Sequence, residues 1–154
     1  MKKSIKLTLM GVVTFIVTLL ILWGLLILSA KVPNSKIQNN LEKSALSFAD
    51  IDAFEKTYKS YMAYWQDNYA DAILLDIIWN VKDNESVKST IDTKYYDGDD
   101  MGEAYGLYVN VLGQEKANQD YTRYWHGSMI VIRPLLTFTD VNGVRNIGFV
   151  AIVI

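Results

Sequence analysis

The sequence predicts a mainly α-helical membrane protein that has an amino-terminal transmembrane helix, a mostly helical extracytoplasmic domain and at most a minor strand component. Three observations lead to this fold class. Residues 7–30 contain no charged side chain, the segment from Ile37 to Phe48 spaces its apolar residues mostly three or four positions apart, and residues 50–81 contain neither glycine nor proline. The first feature is typical of a membrane span, and the other two are typical of helices.

Residues 7–30 form the predicted transmembrane helix. As an α-helix this segment would reach about 36 Å, which exceeds the roughly 30 Å of a bilayer core. A buried helix of a soluble protein seldom has so long an uncharged run, and a cleavable signal peptide has a shorter apolar region and a small residue where Leu28 stands. We therefore expect an uncleaved signal anchor in the cell membrane. Three lysines make residues 1–6 a basic tail that stays in the cytoplasm.

Residues 31–126 then form an acidic extracytoplasmic domain. They carry ten lysine or arginine residues against sixteen aspartate or glutamate residues. This excess of negative charge argues against a nucleic-acid partner, because nucleic-acid binding needs a basic surface. The chain has no cysteine and one histidine, which excludes disulfides and thiol chemistry and disfavours a histidine-rich zinc site. We expect no resident cofactor; the expected partners are the lipid bilayer and further membrane helices, of the same polypeptide or of a membrane partner.

The extracytoplasmic domain is predicted to begin with two helices. Pro33 ends the anchor and residues 35–38 match the capping pattern S-x-x-Q, so the first helix should run from near residue 36 to Phe48. The second should begin near residue 49 or 50 and continue toward Val81. Four aromatic residues would share one broad face of that helix and favour a core or membrane-facing surface over a sugar-binding platform: Tyr58, Tyr61, Tyr64 and Trp65.

Two carboxylates form the candidate catalytic pair. Asp67 and Asp71 are four residues apart and lie about 40° apart around a helix, whereas Asp76 lies about another 140° away. Such a pair could perform acid–base catalysis or bind a divalent cation. The alternative is that Asp67 caps the helix and Asp71 points to solvent from its first turn.

A second candidate cation site lies in the acidic turn DGDDMGE. Asp97 and Asp99 occupy ligand positions of an EF-hand loop, but Met101 and Tyr108 stand where an oxygen ligand and the bidentate glutamate belong. This pattern favours a solvated acidic turn over a calcium site. Residues 105–113 alternate weakly and are compatible with a short strand or with a buried helical turn.

The stretch YWHGSMIVIRPLL, residues 124–136, contains the candidate lipid- or phosphate-binding side chains. Trp125 is expected at headgroup depth. His126 and Arg133 are candidates because they lie beside and within an apolar segment, where a charged side chain is costly. The alternatives are a hydrogen-bonding role for His126 in a surface turn and an Arg133 side chain that extends toward lipid phosphate. Pro134 should break or kink a helix at Arg133.

Two further segments complete the predicted organisation. Residues 127–139 are apolar but too short to cross a bilayer, and they predict an interfacial or re-entrant segment. Residues 147–154 form the start of a second hydrophobic segment. We therefore expect the chain to be the front part of a longer multi-pass protein.

Two stretches carry a family resemblance. DNYADAILLDI (67–77) and YTRYWHGSMIVIRPLL (121–136), which follow a first membrane helix and VPNSKIQNNLEKSA, resemble an uncharacterised family of multi-pass membrane proteins of Gram-positive bacteria. The resemblance covers most of the chain and implies a large outer loop and many further helices, but no activity. A weaker architectural resemblance is to integral-membrane glycosyltransferases that use polyprenyl phosphate carriers. It would make Asp67 or Asp71 the base and would assign the carrier phosphate to His126 and Arg133.

Three functions follow as hypotheses. The first is a non-catalytic membrane component of the cell envelope, whose outer domain serves packing or interactions. The alternative is a glycosyltransferase-like enzyme that uses a lipid-linked sugar donor, and the third is a transporter component. The sequence contains no glycine-rich phosphate loop, no G-x-S-x-G elbow and no H-E-x-x-H motif.

Overall fold

A computed structural model of the chain describes residues 2–49, 51, 54–56, 65–98, 102–122 and 126–153. The described residues are mainly helical, with two short antiparallel strand pairs. In chain order the elements are α1 (Lys2–Ala30), α2 (Asn34–Phe48), β1 (Phe54–Lys56), β2 (Trp65–Asp67), α3 (Asn68–Asn80), a 3-10 turn (Asp83–Glu85), α4 (Ser86–Ser89), β3 (Lys94–Tyr95), α5 (Gly102–Leu112), β4 (Gln119–Asp120), α6 (Met129–Leu135) and α7 (Val141–Val153).

Helix α1 divides into an exposed part and a buried end. Its segment Ser4–Ala30 has a mean hydropathy of 2.7 and is long and apolar enough to cross a membrane by length and composition. Every residue from Ser4 to Ile21 is exposed, whereas Leu26 and Ala30 are 1% and 0% exposed. The same helix therefore offers an uncovered apolar surface over most of its length and contributes its last turns to the core.

The core is built by three helices and closed by three others. Helices α2, α3 and α5 pack against one another, α6 packs against α1 and α3, and α7 packs against α2. The buried apolar side chains come from all six elements and include Leu26, Ile37, Leu41, Phe48, Leu75, Ile78, Leu107, Met129, Leu136 and Val141. The end of α1 and the helices that follow it therefore share one core, although their residues are far apart in sequence.

Helix α2 confirms the predicted amphipathic helix but not its predicted cap. It begins at Asn34, with Pro33 as the N-cap residue and no side-chain cap hydrogen bond. Ser35 therefore lies inside the helix, and Gln38 donates to Glu42 instead of to the backbone. The capping-box prediction was wrong because Pro33 already supplies the extended backbone at the helix start.

The predicted continuous helix from residue 49 or 50 to Val81 is wrong in its first half. Strands β1 and β2 pair there in antiparallel register, with Phe54 opposite Asp67 and Lys56 opposite Trp65. A helix cannot run through Asp67, because this residue adopts a non-helical conformation (φ −82°, ψ 79°) to cap α3. Trp65 thus belongs to a strand, while Tyr58, Tyr61 and Tyr64 lie outside the described residues.

The remaining elements resolve the other predictions. Residues 105–113, for which strand and helical turn were both open, belong mostly to α5. Strands β3 and β4 pair Lys94 with Asp120, which supplies a small strand component. Pro134 lies inside α6, and the helix ends one residue after it rather than at Arg133. The second hydrophobic segment is part of α7, whose apolar residues from Ile147 onward are exposed.

Candidate functional site

The amino end of α3 holds the candidate catalytic pair, and both carboxylates have structural contacts. Asp67 Oδ1 accepts a hydrogen bond of 2.9 Å from the Ala70 amide and caps the helix. Asp71 Oδ2 lies 2.6 Å from Arg145 Nη2 and 2.8 Å from Arg145 Nε. The two aspartates thus have separate partners. Asp67 binds a backbone amide at the helix end, and Asp71 pairs with the Arg145 guanidinium of α7.

Arg145 connects α7 to α3 and to α2. Besides Asp71, its Nη2 donates to Asn68 Oδ1 at 2.9 Å, and its guanidinium lies 5.2 Å from the centre of the Phe48 ring. A guanidinium stacked over an aromatic face gains a cation–π attraction in addition to its ion pair. Arg145 therefore attaches the start of α7 to α2 and to the amino end of α3.

The candidate phosphate ligand Arg133 is 0% exposed. Its guanidinium donates to the Ile78 carbonyl, to the Val32 carbonyl (2.6 Å from Nη2, 3.2 Å from Nε) and to Asn34 Oδ1 at 2.7 Å. The Ile78 acceptor belongs to a helix end, because Ile78 lies in the last turn of α3, whereas Val32 lies in the short connection between α1 and α2. The last carbonyls of a helix have no partner within the helix and carry partial negative charge, so a cation there satisfies them.

Burial changes the acid–base chemistry of Arg133 only moderately. Removal from water lowers the pKa of its guanidinium to about 10, and the Asp83 carboxylate acts in the opposite direction. The side chain therefore stays charged near pH 7 while it contacts neutral oxygens. It does not extend toward a lipid phosphate, because its donors are directed into the protein.

His126 lies in a half-buried polar turn. Its Nε2 is 3.0 Å from the Tyr121 carbonyl and 3.1 Å from Thr93 Oγ1, and its ring lies 5.6 Å from the Tyr121 ring. A proton on Nε2 would serve both oxygens, so the predicted hydrogen-bonding role for His126 is observed. Trp125, the third candidate of this group, lies outside the described residues.

The acidic turn is held by backbone contacts. Asp97 donates its amide to Asn118 Oδ1 at 2.8 Å, and its carbonyl accepts from Asn118 Nδ2 at 3.0 Å. Asp99 lies outside the described residues. Among the residues that the structure does describe, no three or more histidine, aspartate or glutamate side chains come together as a metal-binding group.

The acid with the most unusual environment is Asp76, which the helical-angle argument separated from the candidate pair. It is 1% exposed. Its carboxylate accepts from Asn80 Nδ2 at 2.6 Å and from the Tyr96 amide at 3.1 Å. Burial raises the pKa of Asp76 to about 8, although both hydrogen bonds lower it. Its position in an almost wholly apolar segment was the available signal, because an acid there must be buried.

A hydrogen-bonded chain leads from Asp76 to a surface groove. Asn80 Nδ2 also lies 3.3 Å from Asn110 Oδ1, and Asn110 donates to the Glu115 carbonyl at 3.0 Å. Asn80 and Glu115 both line a groove with a volume of about 460 Å³. Asp67, Asp71, His126 and Arg133 are not among the described residues that line this groove. The charged part of that lining comprises four lysines and three acids: Lys82, Lys88, Lys94, Lys116, Glu85, Asp92 and Glu115.

Comparison with known proteins adds no identity to this geometry. No family model matches the chain, and no curated protein and no solved structure matches it. The function is therefore inferred from the residues and their contacts alone.

Proposed function

We propose that the protein is a non-catalytic, membrane-anchored component of the cell envelope, whose extracytoplasmic domain acts as a packing platform fixed to its anchor. One observation carries the proposal: the helix that is apolar enough to span a bilayer ends inside the core of the domain. Leu26 and Ala30 are buried there, and Ser29 donates to the Met129 carbonyl at 2.6 Å.

The contacts of the candidate residues support this proposal. Asp67 caps a helix, Asp71 pairs with Arg145, and Arg133 is enclosed by three oxygens. These interactions use the side chains for cohesion between helices. The alternative, a transferase of lipid-linked sugars, relied on the same side chains as base and phosphate ligands.

The apolar surface of α7 supplies a place for packing. Five of its residues are exposed by 46% to 86%: Ile147, Phe149, Val150, Ile152 and Val153. Exposed apolar side chains at this density favour contact with lipid or with further membrane helices. This agrees with the resemblance to multi-pass membrane proteins.

Membrane anchoring and orientation are tested by cysteine labelling, since the chain has no cysteine of its own. Lys6→Cys and Lys43→Cys introduce single thiols in the predicted cytoplasmic tail and on the surface of α2. A membrane-impermeant maleimide should label the thiol at position 43 in intact cells and the thiol at position 6 only after permeabilisation. Labelling at both positions, or at position 6 alone, in intact cells contradicts the proposed orientation.

The non-catalytic role is tested by comparing protein level with cellular function. We expect Arg133→Ala to lower the amount of folded protein in the membrane and Asp71→Asn to lower it slightly, with function falling in proportion to that amount. A variant that accumulates at the wild-type level but loses function entirely would instead support the transferase.

A further inference from the structure

The charged groove lies beside the end of α1. Trp23 Nε1 donates to Thr90 Oγ1 at 3.4 Å, and α4 packs against α1. Lys88 and Ser89 of α4 line the groove. We propose that this groove binds the phosphate headgroup of an anionic phospholipid in the adjacent leaflet. The inference rests on the proposed membrane anchor and assigns that anchor a lipid partner.

The length of α1 places the groove at the membrane surface. From Leu7, the first residue after the basic tail, to Trp23 a helix measures about 26 Å, close to the roughly 30 Å of a bilayer core. Tryptophan is the residue type enriched at the boundary between hydrocarbon and headgroups. Because Thr90 is hydrogen-bonded to Trp23, the α4 region lies at headgroup depth when Leu7–Trp23 fills the core.

Two exposed apolar side chains on the same segment fit this depth. Val87 and Ile91 are 49% and 61% exposed and are four positions apart. In water these side chains would be poorly solvated, but at the surface of a bilayer they can enter the acyl boundary. Lys88 lies between them and would remain among the headgroups.

Charge distinguishes the groove from the rest of the domain. Residues 31–126 carry ten basic and sixteen acidic side chains, yet four of those ten and only three of those sixteen line the groove. Lys88 is 4.0 Å from Glu85, and Lys94 is paired with Asp92 and Asp120. Lys82 and Lys116 have no ion-pair partner among the described residues, so their ammonium groups are available to a phosphate.

The wall of the groove also offers acceptors in fixed positions. The Asp76 carboxylate takes a hydrogen bond from the Asn80 amide nitrogen, so the Asn80 amide oxygen is left as an acceptor. Asn110 holds the Glu115 carbonyl, and the turn before it contains Gln114 in the left-handed conformation (φ 58°). These contacts fix Glu115 beside the groove. Acceptors next to lysines suit a lipid headgroup that carries hydroxyl donors beside its phosphate, such as that of phosphatidylglycerol.

Lipid selectivity is the first test. The full chain is reconstituted in vesicles of phosphatidylglycerol and phosphatidylcholine, extracted mildly, and its retained lipid is counted by native mass spectrometry. Wild type should retain phosphatidylglycerol preferentially. Lys82→Gln/Lys116→Gln should reduce this preference about 25-fold, taking about fivefold per lysine near an anionic surface. The control Lys36→Gln/Lys43→Gln removes the same charge from α2, outside the groove, and should retain the preference.

Depth in the membrane is the second test. Ile91→Cys and Leu46→Cys replace apolar residues of similar exposure, 61% and 57%, and each thiol is labelled with an environment-sensitive fluorophore. Emission from position 91 should shift to the blue in vesicles and be quenched by spin-labelled lipid, whereas emission from position 46 should not. Equal responses at both positions overturn the inference.

The two proposals fail in different ways. Release of wild type from vesicles by alkaline carbonate means that α1 is not an anchor, and the proposed function fails. A protein that stays anchored but retains both lipids equally overturns the lipid site alone. Binding of inorganic phosphate in detergent, without phosphatidylglycerol preference in vesicles, identifies a soluble anion as the ligand and also overturns the lipid site.

Discussion

The two ends of α3 are each held by an arginine from a later helix, but the surroundings of the two guanidinium groups differ. At the carboxyl end, Arg133 is fully buried and donates to neutral oxygens. At the amino end, the Arg145 side chain is 22% exposed and pairs with an Asp71 side chain that is 37% exposed. The residue type is the same at both ends, so the degree of enclosure determines what the loss of each side chain costs.

The largest effect is expected at the buried end. Arg133→Ala leaves the Val32 and Ile78 carbonyls without their donor and opens a cavity, so it should lower the free energy of unfolding by about 3 to 5 kcal/mol. Arg133→Lys keeps the charge but lacks the planar guanidinium group with its several donors. Its free energy of unfolding should therefore lie between those of Arg133→Ala and wild type. Denaturant unfolding in detergent measures both, with exposed Lys43→Ala as control, expected within about 0.5 kcal/mol of wild type. A change below about 1 kcal/mol for Arg133→Ala removes the contrast between the two ends.

Asp76, nearer the buried end than the exposed one, should make stability depend on pH. Its pKa is raised to about 8 in the folded protein, so the folded state binds more protons than the unfolded state between about pH 4 and pH 8. Stability is therefore fully present at low pH and is lost as the pH rises, by about 1.4 kcal/mol per unit in that window.

The measurement is unfolding at pH 5 and pH 7 for wild type, Asp76→Asn and the exposed control Glu85→Gln. Wild type and the control should lose about 2 to 3 kcal/mol between the two values, and Asp76→Asn should lose much less. Equal slopes for wild type and Asp76→Asn would show that another group carries the dependence.

A smaller effect is expected at the exposed end. Arg145→Ala and Asp71→Asn should each cost about 1 kcal/mol, and a double-mutant cycle should give a coupling energy below about 1 kcal/mol because both side chains are partly solvated. The coupling should fall when the salt concentration is raised. A coupling as large as the Arg133→Ala effect would contradict the distinction drawn from burial.

The smallest effect is expected at the helix cap. Asp67→Ala removes the acceptor of the Ala70 amide from an exposed position and should cost about 0.5 to 1 kcal/mol. Asp67→Asn keeps an acceptor and should cost less than alanine. Thermal unfolding of the two variants side by side gives the order, and an alanine variant equal to wild type would mean that water replaces the cap.

The same contrast explains which predictions from sequence succeeded. The long apolar α1 and the amphipathic α2 depend on local spacing, as does the alternative role of Asp67 as a helix cap, and local spacing is visible in a sequence. The Val32 carbonyl that accepts from Arg133 lies about a hundred residues away in the chain, as does Met129 from its donor Ser29. Nothing near Arg133 in sequence indicates that the Val32 and Ile78 carbonyls will surround it.

Strands β1 and β2 show the same limit on a smaller scale. A glycine- and proline-free segment predicted a helix, but Phe54 pairs with Asp67 in a strand. Strand formation depends on which backbone segments meet in the folded chain, and local sequence does not show this. The charged groove could not be predicted from sequence either, because its lining residues come from separate stretches of the chain.

The buried end of α1 has a consequence for the order of biosynthesis. The first helix leaves the ribosome long before α6, against which its end packs, because Met129, whose carbonyl accepts from Ser29, is made about a hundred residues later. At about 5 to 20 residues per second this interval lasts roughly 5 to 20 seconds. During it the end of α1 has to be sheltered by lipid or by a chaperone. The contact between α1 and α6 can form only after α6 has been synthesised, so a chain truncated before Met129 should lack this part of the core.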